Sequence, residues 1–338
     1  MPTISDHATE TSALRPEVRE AAERADAAAL RPAERSPLAT ADRLRIALRV
    51  ALVNENHAYA DALAAETGDA ETVRDVRRWD ELAEPTQALL AYCEQVALDP
   101  ADVGPEEVAD LRRHCTAAEV VAATQVAAYA SFRSRLLAGL RLATGCGAGP
   151  AAEAGVVIEA GCSADGGDLS APEAAFPQLK WVSRLEASSG DQFAGTLRHD
   201  PAVLEAQTTL REVIMAGRGA LDRADRELAA LATSLINGCE YCRGVHGRRQ
   251  VELSGDRLTA VVLAEAGPAA IADQRLRAVV DVAGKLARTP ASLTEPDVRR
   301  LHAAGLPAED VCDLVAVASM FAWDNRLIMV LGNAVRPS

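Results

Sequence analysis

The chain has 338 residues, of which only 3% are aromatic, and a formal net charge of −14. This length is enough for two domains, and the alanine-rich, aromatic-poor composition favours closely packed helices over a β-rich core. The acidic balance excludes a basic surface for a nucleic-acid backbone. No uninterrupted run of about 18 apolar residues indicates a membrane span, and the N-terminus lacks the order of a signal peptide. We therefore expect a soluble cytoplasmic protein that binds neither nucleic acid nor membrane.

Apolar periodicity predicts helices nearly throughout the chain. In the first half they are Ala41–Leu63, Pro85–Leu98, Pro105–His114 and Ala117–Leu140. In the second half they are Pro201–Ala216, Ala224–Ile236, Cys239–Leu253, Asp256–Ala264, Gln274–Ala287, Glu295–Ala304 and Ala308–Leu331. Residues 1 to about 35 are polar and alanine-rich, which fits a frayed arm or a short helix. A Gly/Ala/Ser-rich stretch at 144–172 predicts a linker. The fold class is therefore all-α, with helical domains at 1–143 and 173–338.

The two halves share an internal repeat. The segment ALRVALVNENHAYADAL, which begins at Ala47, resembles ALATSLINGCEYCRGVH in the second half, so that Asn54 matches Asn237. Further along, DPADVGPEEVADLRRHCTAAE resembles TPASLTEPDVRRLHAAGLPAE. Two tandem copies of one helical unit follow from this match.

The second copy carries the pattern Glu-x11-Cys-x2-Cys-x3-His, from Glu227 to His246. On a helix, Cys239, Cys242 and His246 project from one face because they are three and then four residues apart. Asn237-Gly238 is typical of a helix that ends in the left-handed conformation. We therefore expect a second helix whose first turn holds both cysteines, where the free N–H groups and the helix dipole favour a thiolate.

Glu227 and His246 lie on opposite sides of this break. If the two helices fold back as a hairpin, the carboxylate, the imidazole and both thiols share one pocket. A buried glutamate can relay protons, and a histidine takes or returns one near neutral pH. Peroxide or disulfide chemistry at a thiol requires these groups.

The first copy lacks these groups. At the positions that match Cys239, Cys242, His246 and Glu227 it has Asn56, Tyr59, Leu63 and Leu44. Without a thiol, a redox role for this domain is not expected. We expect it to be structural, to extend an oligomer surface or to shape access to the second site.

The motif of the second copy resembles the active-site signature of the alkylhydroperoxidase D (AhpD)-like group of the carboxymuconolactone decarboxylase superfamily. Ser234 to Asn237, Tyr241 and Phe321 to Arg326 are similar to its peroxidase-related branch. Some members of the group have a further histidine where this chain has Tyr241. The resemblance, which covers roughly 175–335, implies two tandem AhpD-like helical domains of which the first has lost the active-site motif.

The resemblance also implies a function, that of a thiol-dependent peroxidase. According to this resemblance, Cys242 is the thiol that attacks a hydroperoxide and Cys239 is the resolving thiol. Glu227 and His246 form the proton relay. The reductant is an external dithiol, which in relatives is a lipoyl-bearing or thioredoxin-like protein. Relatives of this kind are commonly homo-oligomers, and a trimer or hexamer is expected here. The sulfur chemistry requires no metal, haem or flavin in this chain.

Other interpretations of the motif stay open. They are a redox sensor, a disulfide-exchange protein and a superfamily member without peroxidase activity, such as a lactone decarboxylase, although such decarboxylases lack the cysteine pair. A zinc site would need a fourth ligand, such as Cys312 or Glu227. A purely structural cysteine pair would leave Glu227 and His246 unexplained. Of the other cysteines, Cys93, Cys115 and Cys312 are expected in the core, and Cys146 and Cys162 in the linker.

Overall fold

The structure, a computed structural model, describes residues 11–33, 36–145, 175–185 and 192–337. Most of the described chain is helical and the strands form one short pair, so the all-α prediction is confirmed. The start of the predicted N-terminal arm lies outside the described residues. Nearly all of the predicted linker does too, including Cys146 and Cys162.

The helices of the first half lie between residues 16 and 143. They are α1 (Pro16–Leu30), α2 (Thr40–Val53), α3 (His57–Ala64), α4 (Ala70–Arg74), α5 (Glu84–Leu98), α6 (Pro105–Leu111) and α7 (Ala117–Ala143), with a 3₁₀ helix at Val76–Glu81. The predicted N-terminal arm contains α1, which begins at a proline and buries an alanine-rich face. That face packs against the second half.

Among the elements of the second half whose bounds the structure describes, a strand comes first and another comes last. Its elements are β1 (Lys180–Ser183), α8 (Gln192–Leu197), α9 (Pro201–Met215), α10 (Arg223–Asn237), α11 (Glu240–Ser254), α12 (Arg257–Ala266), a 3₁₀ helix (Pro268–Ala270), α13 (Gln274–Ala287), α14 (Glu295–Ala303), α15 (Ala308–Leu331) and β2 (Gly332–Val335). β1 and β2 pair antiparallel, with Lys180 opposite Val335. Neither strand was predicted from the sequence, because four-residue strands have no clear periodicity.

One predicted helix is wrong. The segment 41–63 is not continuous, because α2 ends at Val53 and α3 begins at His57. Glu55 takes a positive φ of 53°, which breaks the helix without a glycine. Asn56 then caps α3, since its side-chain oxygen accepts the N–H of Tyr59 at 3.2 Å. The first half thus contains a helix–break–helix at the place that matches the break before Cys239.

The order of helices in the first half recurs in the second. Two equivalent arginines reinforce this correspondence, because each donates hydrogen bonds to carbonyls at and beyond the end of the preceding helix. Arg43 donates to the carbonyls of Leu38 and Ala29, and Arg226 donates to those of Leu221 and Ile214. The recurrence supports a tandem arrangement, while the exact domain limits stay a prediction.

The two halves meet along their longest helices, α7 and α15. Trp323 of α15 lies edge-on to Tyr129 of α7, with ring centroids 5.2 Å apart, and 5.6 Å from Phe132. By length and composition α15 could cross a membrane, but 94% of its apolar window is buried inside the protein. The helix is therefore a core element that both halves cover.

A reciprocal pair of buried arginines joins the halves. Arg135 of α7 donates to the carbonyls of Ala287 and Arg288, at 3.3 and 3.0 Å, where α13 ends. Arg326 of α15 donates to those of Val96 and Ala97, at 3.1 and 2.7 Å, in the last turn of α5. The hydroxyl of Thr289 accepts from both guanidinium groups. Each half thereby satisfies helix-end carbonyls of the other.

We expect Arg326→Met to lower the free energy of unfolding by about 2–4 kcal/mol, because buried carbonyls in α5 lose their donor. Urea denaturation followed by circular dichroism measures this change. The control is Arg299→Met, whose side chain is 68% exposed and lies 3.8 Å from Glu295. That variant should change stability by less than about 0.5 kcal/mol. Equal losses of stability in the two variants would show that the hydrogen bonds of Arg326 do not hold the two halves together.

Candidate functional site

A tight reversal between α10 and α11 sets the position of the thiols. Helix α10 begins after Asp222, whose carboxylate accepts the N–H of Ala224 at 2.9 Å. It ends at Asn237, and Gly238 follows in the left-handed conformation with φ of 75°. Cys239 is then the N-cap residue of α11, and Cys242 lies in its first turn. The predicted helix–break–helix around the motif is confirmed.

Both thiols are buried and reduced in this structure. The exposed fraction is 2% for Cys239 and 3% for Cys242, and neither forms a disulfide. The side chains of Cys239 and Cys242 hydrogen-bond to each other. The two thiols therefore lie next to each other as a reduced pair.

The electrostatic surroundings oppose a thiolate at Cys242. The hydrogen bond with Cys239 and then burial raise the pKa of Cys242 well above its usual range. The charges of Cys239 and Asp324 raise it further, while Arg211 lowers it. The expectation that the helix N-terminus favours a thiolate is therefore wrong for Cys242 in the reduced pair. Two adjacent thiols do not both ionise easily, because the second charge forms beside the first.

A buried acid–imidazole pair lies on the same hairpin. Oε2 of Glu227 on α10 is 2.6 Å from Nδ1 of His246 on α11. Their exposed fractions are 1% and 7%. Because Nδ1 is occupied by the carboxylate, Nε2 is the ring nitrogen left to exchange a proton with another group. His246 follows Cys242 by about one helical turn, so the two side chains share a face of α11.

The structure thus brings Glu227 to His246, and Cys239 to Cys242, as the spacing predicted. Helix α15 supplies the wall behind the imidazole, since Phe321 lies edge-on to His246 with ring centroids 4.4 Å apart. Trp323, two residues later, faces the first half instead. The catalytic roles of the four motif residues stay a prediction.

The sequence interpretation missed a polar cluster at this site. Asp324 of α15 is 3% exposed and accepts a hydrogen bond from Gln207 Nε2 at 2.5 Å. Arg211 Nη1 lies 3.6 Å from the other carboxylate oxygen. Burial raises the pKa of Asp324, against the opposing effects of Arg211 and Gln207. The charge of this carboxylate raises the pKa of Cys242, and His246 in turn lowers the pKa of Asp324. Two features of the sequence could have indicated this cluster. They are an acid on the most apolar helix and the four-residue spacing of Gln207 and Arg211.

A cavity of about 230 Å³ lies beside Cys239. It is lined by Pro100, Ala101, Arg184, Gly238, Cys239, Glu240, Tyr241, Ile328, Met329, Gly332, Asn333 and Ala334. Cys242 is not in this lining, so Cys239 is the thiol that faces the cavity. Ala101 of the first half also lies against the reversal, because a Cβ placed on Gly238 would be 4.0 Å from its methyl carbon.

Arg184 fixes the first half at the rim of this cavity. Its Nη1 donates to the carbonyl of Val103 at 2.7 Å and to that of Val330 at 3.1 Å. The side chain also donates to Asn333 Oδ1. The loop after α5 is thereby tied to the end of α15, and the first half forms part of the cavity wall.

The matching place in the first half holds phenols instead of thiols. Tyr59, at the position of Cys242, is buried, and its pKa is raised chiefly by burial. Nearby, the Tyr129 hydroxyl donates to Asp26 Oδ1 at 2.5 Å. Asn56 donates to the carbonyl of Ser134 at 2.9 Å. This pocket is filled and hydrogen-bonded, which fits a structural role for the first copy.

No group of three or more His, Cys, Asp and Glu side chains suitable for a metal ion occurs among the described residues. Glu227, one of the two fourth ligands considered for zinc, is instead bonded to His246.

Comparison with known proteins identifies the second half. Residues 201–284 match the model of the Carboxymuconolactone decarboxylase family. This part of the chain is therefore similar to that family. The matched range runs from α9 to α13 and contains the whole motif from Glu227 to His246, together with Gln207 and Arg211. The resemblance to the AhpD-like members of this superfamily is confirmed.

Among solved structures, the chain is similar to an uncharacterized peroxidase-related protein from Silicibacter sp. TM1040. The two are 29% identical, the match covers 42% of this chain and 76% of the other, and the TM-score is 0.38. No curated protein matches this chain significantly.

We expect N-ethylmaleimide to modify Cys239 before Cys242, because only Cys239 lines the cavity. Labelling of Cys242 should accelerate as the pH rises into the alkaline range, since its pKa is raised. Initial rates by peptide mass mapping test both statements. Ala101→Trp should slow labelling of Cys239 by filling the cavity, whereas Glu106→Trp, exposed on α6 outside the lining, should not. Faster labelling of Cys242 at pH 7 would contradict this geometry.

Proposed function

We propose that this protein is a thiol-dependent peroxidase, an oxidoreductase that reduces hydroperoxides through a Cys239–Cys242 dithiol–disulfide cycle. The observation that carries the proposal is the buried, reduced dithiol on the same hairpin as the hydrogen-bonded Glu227–His246 pair. A cysteine pair with a structural role only would not require a buried acid–base pair one turn away. The match of residues 201–284 to the Carboxymuconolactone decarboxylase family, whose AhpD-like group the motif resembles, supports the same chemistry.

The first step is attack by the Cys242 sulfur on the distal oxygen of the hydroperoxide. His246 accepts the thiol proton, and the Glu227 carboxylate at 2.6 Å stabilises the imidazolium that forms. The O–O bond breaks, the sulfur is oxidised to a sulfenic acid, and the alkoxide leaves with a proton as an alcohol. We assign the attack to Cys242 because it lies one turn before the base.

The second step forms the disulfide. Cys239 already hydrogen-bonds to Cys242 from the N-cap of α11. Its sulfur attacks the sulfenic sulfur, the S–S bond forms, and the hydroxyl group leaves as water after it gains a proton. The burial of both sulfurs limits further oxidation of the sulfenic acid by bulk peroxide.

An external dithiol then restores the enzyme. We propose that it enters through the cavity and attacks Cys239, the sulfur that faces it, and that a second exchange releases the reduced pair. Lipoyl groups and thioredoxin-like proteins have the required dithiol chemistry. Assembly as a homo-oligomer, a trimer or hexamer, belongs to this proposal as well.

The proposal is tested by peptide mass mapping after one equivalent of cumene hydroperoxide, with dimedone present to trap sulfenic acid. Wild type should form a Cys239–Cys242 disulfide within seconds, and Cys239→Ser should carry dimedone on Cys242. Cys312→Ser, which changes a buried thiol outside the hairpin, serves as the matched control and should behave as wild type.

Two results would count against the proposal. If both motif thiols of wild type stay reduced for minutes, the chain is not a peroxidase for such substrates. If dimedone marks Cys239 in Cys242→Ser while Cys242 stays unmodified in Cys239→Ser, the attacking and resolving roles are reversed.

A further inference from the structure

We infer that Asp324 is a second acid of the thiol site, which donates a proton to the alkoxide that leaves when the O–O bond breaks. The inference rests on the proposed peroxidase function and adds a catalytic residue that lies outside the Cys-x-x-Cys hairpin. It follows from how this carboxyl group is buried, from what surrounds it and from its place on α15, one turn after Phe321, whose ring lies 4.4 Å from that of His246.

The surroundings of Asp324 are poor in hydrogen-bond donors. Gln207 supplies one hydrogen bond at 2.5 Å. Arg211 is 3.6 Å away, beyond a good hydrogen bond, and its side chain is 37% exposed. A carboxyl group that is 3% exposed stays ionised when several donors surround it, and Asp324 has only Gln207 within good hydrogen-bond distance among the described residues.

A second buried carboxyl group of the same half shows the contrast. Asp297, 1% exposed, accepts from Lys285 Nζ at 2.7 Å, from the Thr294 backbone N–H at 2.9 Å and from the Thr294 hydroxyl at 2.7 Å. These donors hold its pKa below the usual value despite burial. Asp324 has fewer donors, and its pKa is raised. Asp297 is thus buried among donors that stabilise its charged form, whereas the surroundings of Asp324 favour the protonated form.

The titratable and charged groups that act on Asp324 belong to the site itself. They are Arg211 from α9 and His246 and Cys242 from α11. Asp324 and Phe321 approach the hairpin from α15, whereas Glu227 belongs to α10. The site therefore has two buried acids on different helices, Glu227 bonded to His246 and Asp324 on the helix that packs against the imidazole.

Two acids balance the protons of the cycle. His246 takes the proton of the Cys242 thiol, and the Asp324 carboxyl group gives its own to the alkoxide, so that an alcohol leaves and Cys242 becomes a sulfenic acid. In the second step the Cys239 proton returns to the Asp324 carboxylate. The leaving hydroxide takes the proton from the His246 imidazolium and becomes water. Both acids then have their starting protonation, and the hydroperoxide has received two electrons from the two thiols.

The protonated carboxyl group should affect two measurable reactions differently. A neutral carboxyl group adds no charge beside Cys242, so its replacement by a neutral amide should leave the ionisation of this thiol nearly unchanged. As a proton donor, it should speed only a reaction with an alkoxide leaving group. Alkylation by iodoacetamide requires the thiolate but no proton donor of this kind. The two reactions therefore separate a proton donor from a structural or purely electrostatic residue.

The experiment compares Asp324→Asn with wild type in the full chain. We expect the initial rate of alkylation of Cys242 by iodoacetamide at pH 7 to change by less than about twofold, because one neutral group replaces another. The single-turnover rate constant with cumene hydroperoxide should fall by at least about tenfold. It should also lose the decrease at alkaline pH that a proton donor causes in wild type. Asp313→Asn is the matched control, since Asp313 is 5% exposed on the same helix and bonds to Arg15 at 2.9 Å. It should change neither rate constant.

The inference is overturned if the peroxide rate constant of Asp324→Asn does not fall, or if its alkylation becomes several-fold faster, as the loss of a negative charge would cause. Should Asp324→Asn fail to fold, Arg211→Gln provides the test, because Arg211 lowers the pKa of both Asp324 and Cys242. This variant should alkylate more slowly and keep its peroxidase rate to a higher pH, and an unshifted pH profile would refute the role of Asp324. If wild type forms no disulfide with hydroperoxide, the proposed function itself is wrong. If wild type is active and the rate constants of Asp324→Asn equal those of wild type, only this inference is wrong.

Discussion

The site depends on the tight reversal of the chain at Gly238. The left-handed conformation of this glycine, with φ of 75°, ends α10 and starts α11 within two residues. The reversal lays the first turns of α11 against α10, so that Glu227 meets His246 at 2.6 Å. A longer connection would separate the acid from the imidazole and the imidazole from the thiols. The chemistry proposed for the dithiol therefore follows from one backbone conformation that glycine adopts at little cost.

Helix α15 links this hairpin to the rest of the molecule. Phe321 and Asp324 face the thiol site, whereas Trp323 and Arg326 face the first half. The first half, whose matching pocket holds a tyrosine in place of a thiol, thus fixes the helix that walls the site. It also lines the cavity beside Cys239. A duplicated unit that lost its cysteines can in this way still support the catalytic centre of its neighbour.

The sequence predicted the elements that local patterns encode. The limits of Gln274–Ala287 and Ala308–Leu331 agree with the structure, because capping residues and apolar periodicity mark both ends. The motif was predictable for the same reason, since its spacing and its Asn-Gly break act locally. The break at Glu55 was missed because no glycine or proline marks it. The Asp324 cluster and the exchange of Arg135 and Arg326 were missed because each joins residues far apart in the chain, which only the packing of α9, α7 and α15 brings together.

The central claim is that the dithiol turns over. Its most direct test is the number of equivalents of cumene hydroperoxide that each chain consumes in the presence of excess dihydrolipoamide. The account predicts continued consumption by wild type until the reductant is exhausted, and loss of this turnover in both Cys239→Ser and Cys242→Ser. Consumption by wild type that stops at about one equivalent while reductant remains would contradict it, because a redox sensor reacts once and a peroxidase does not.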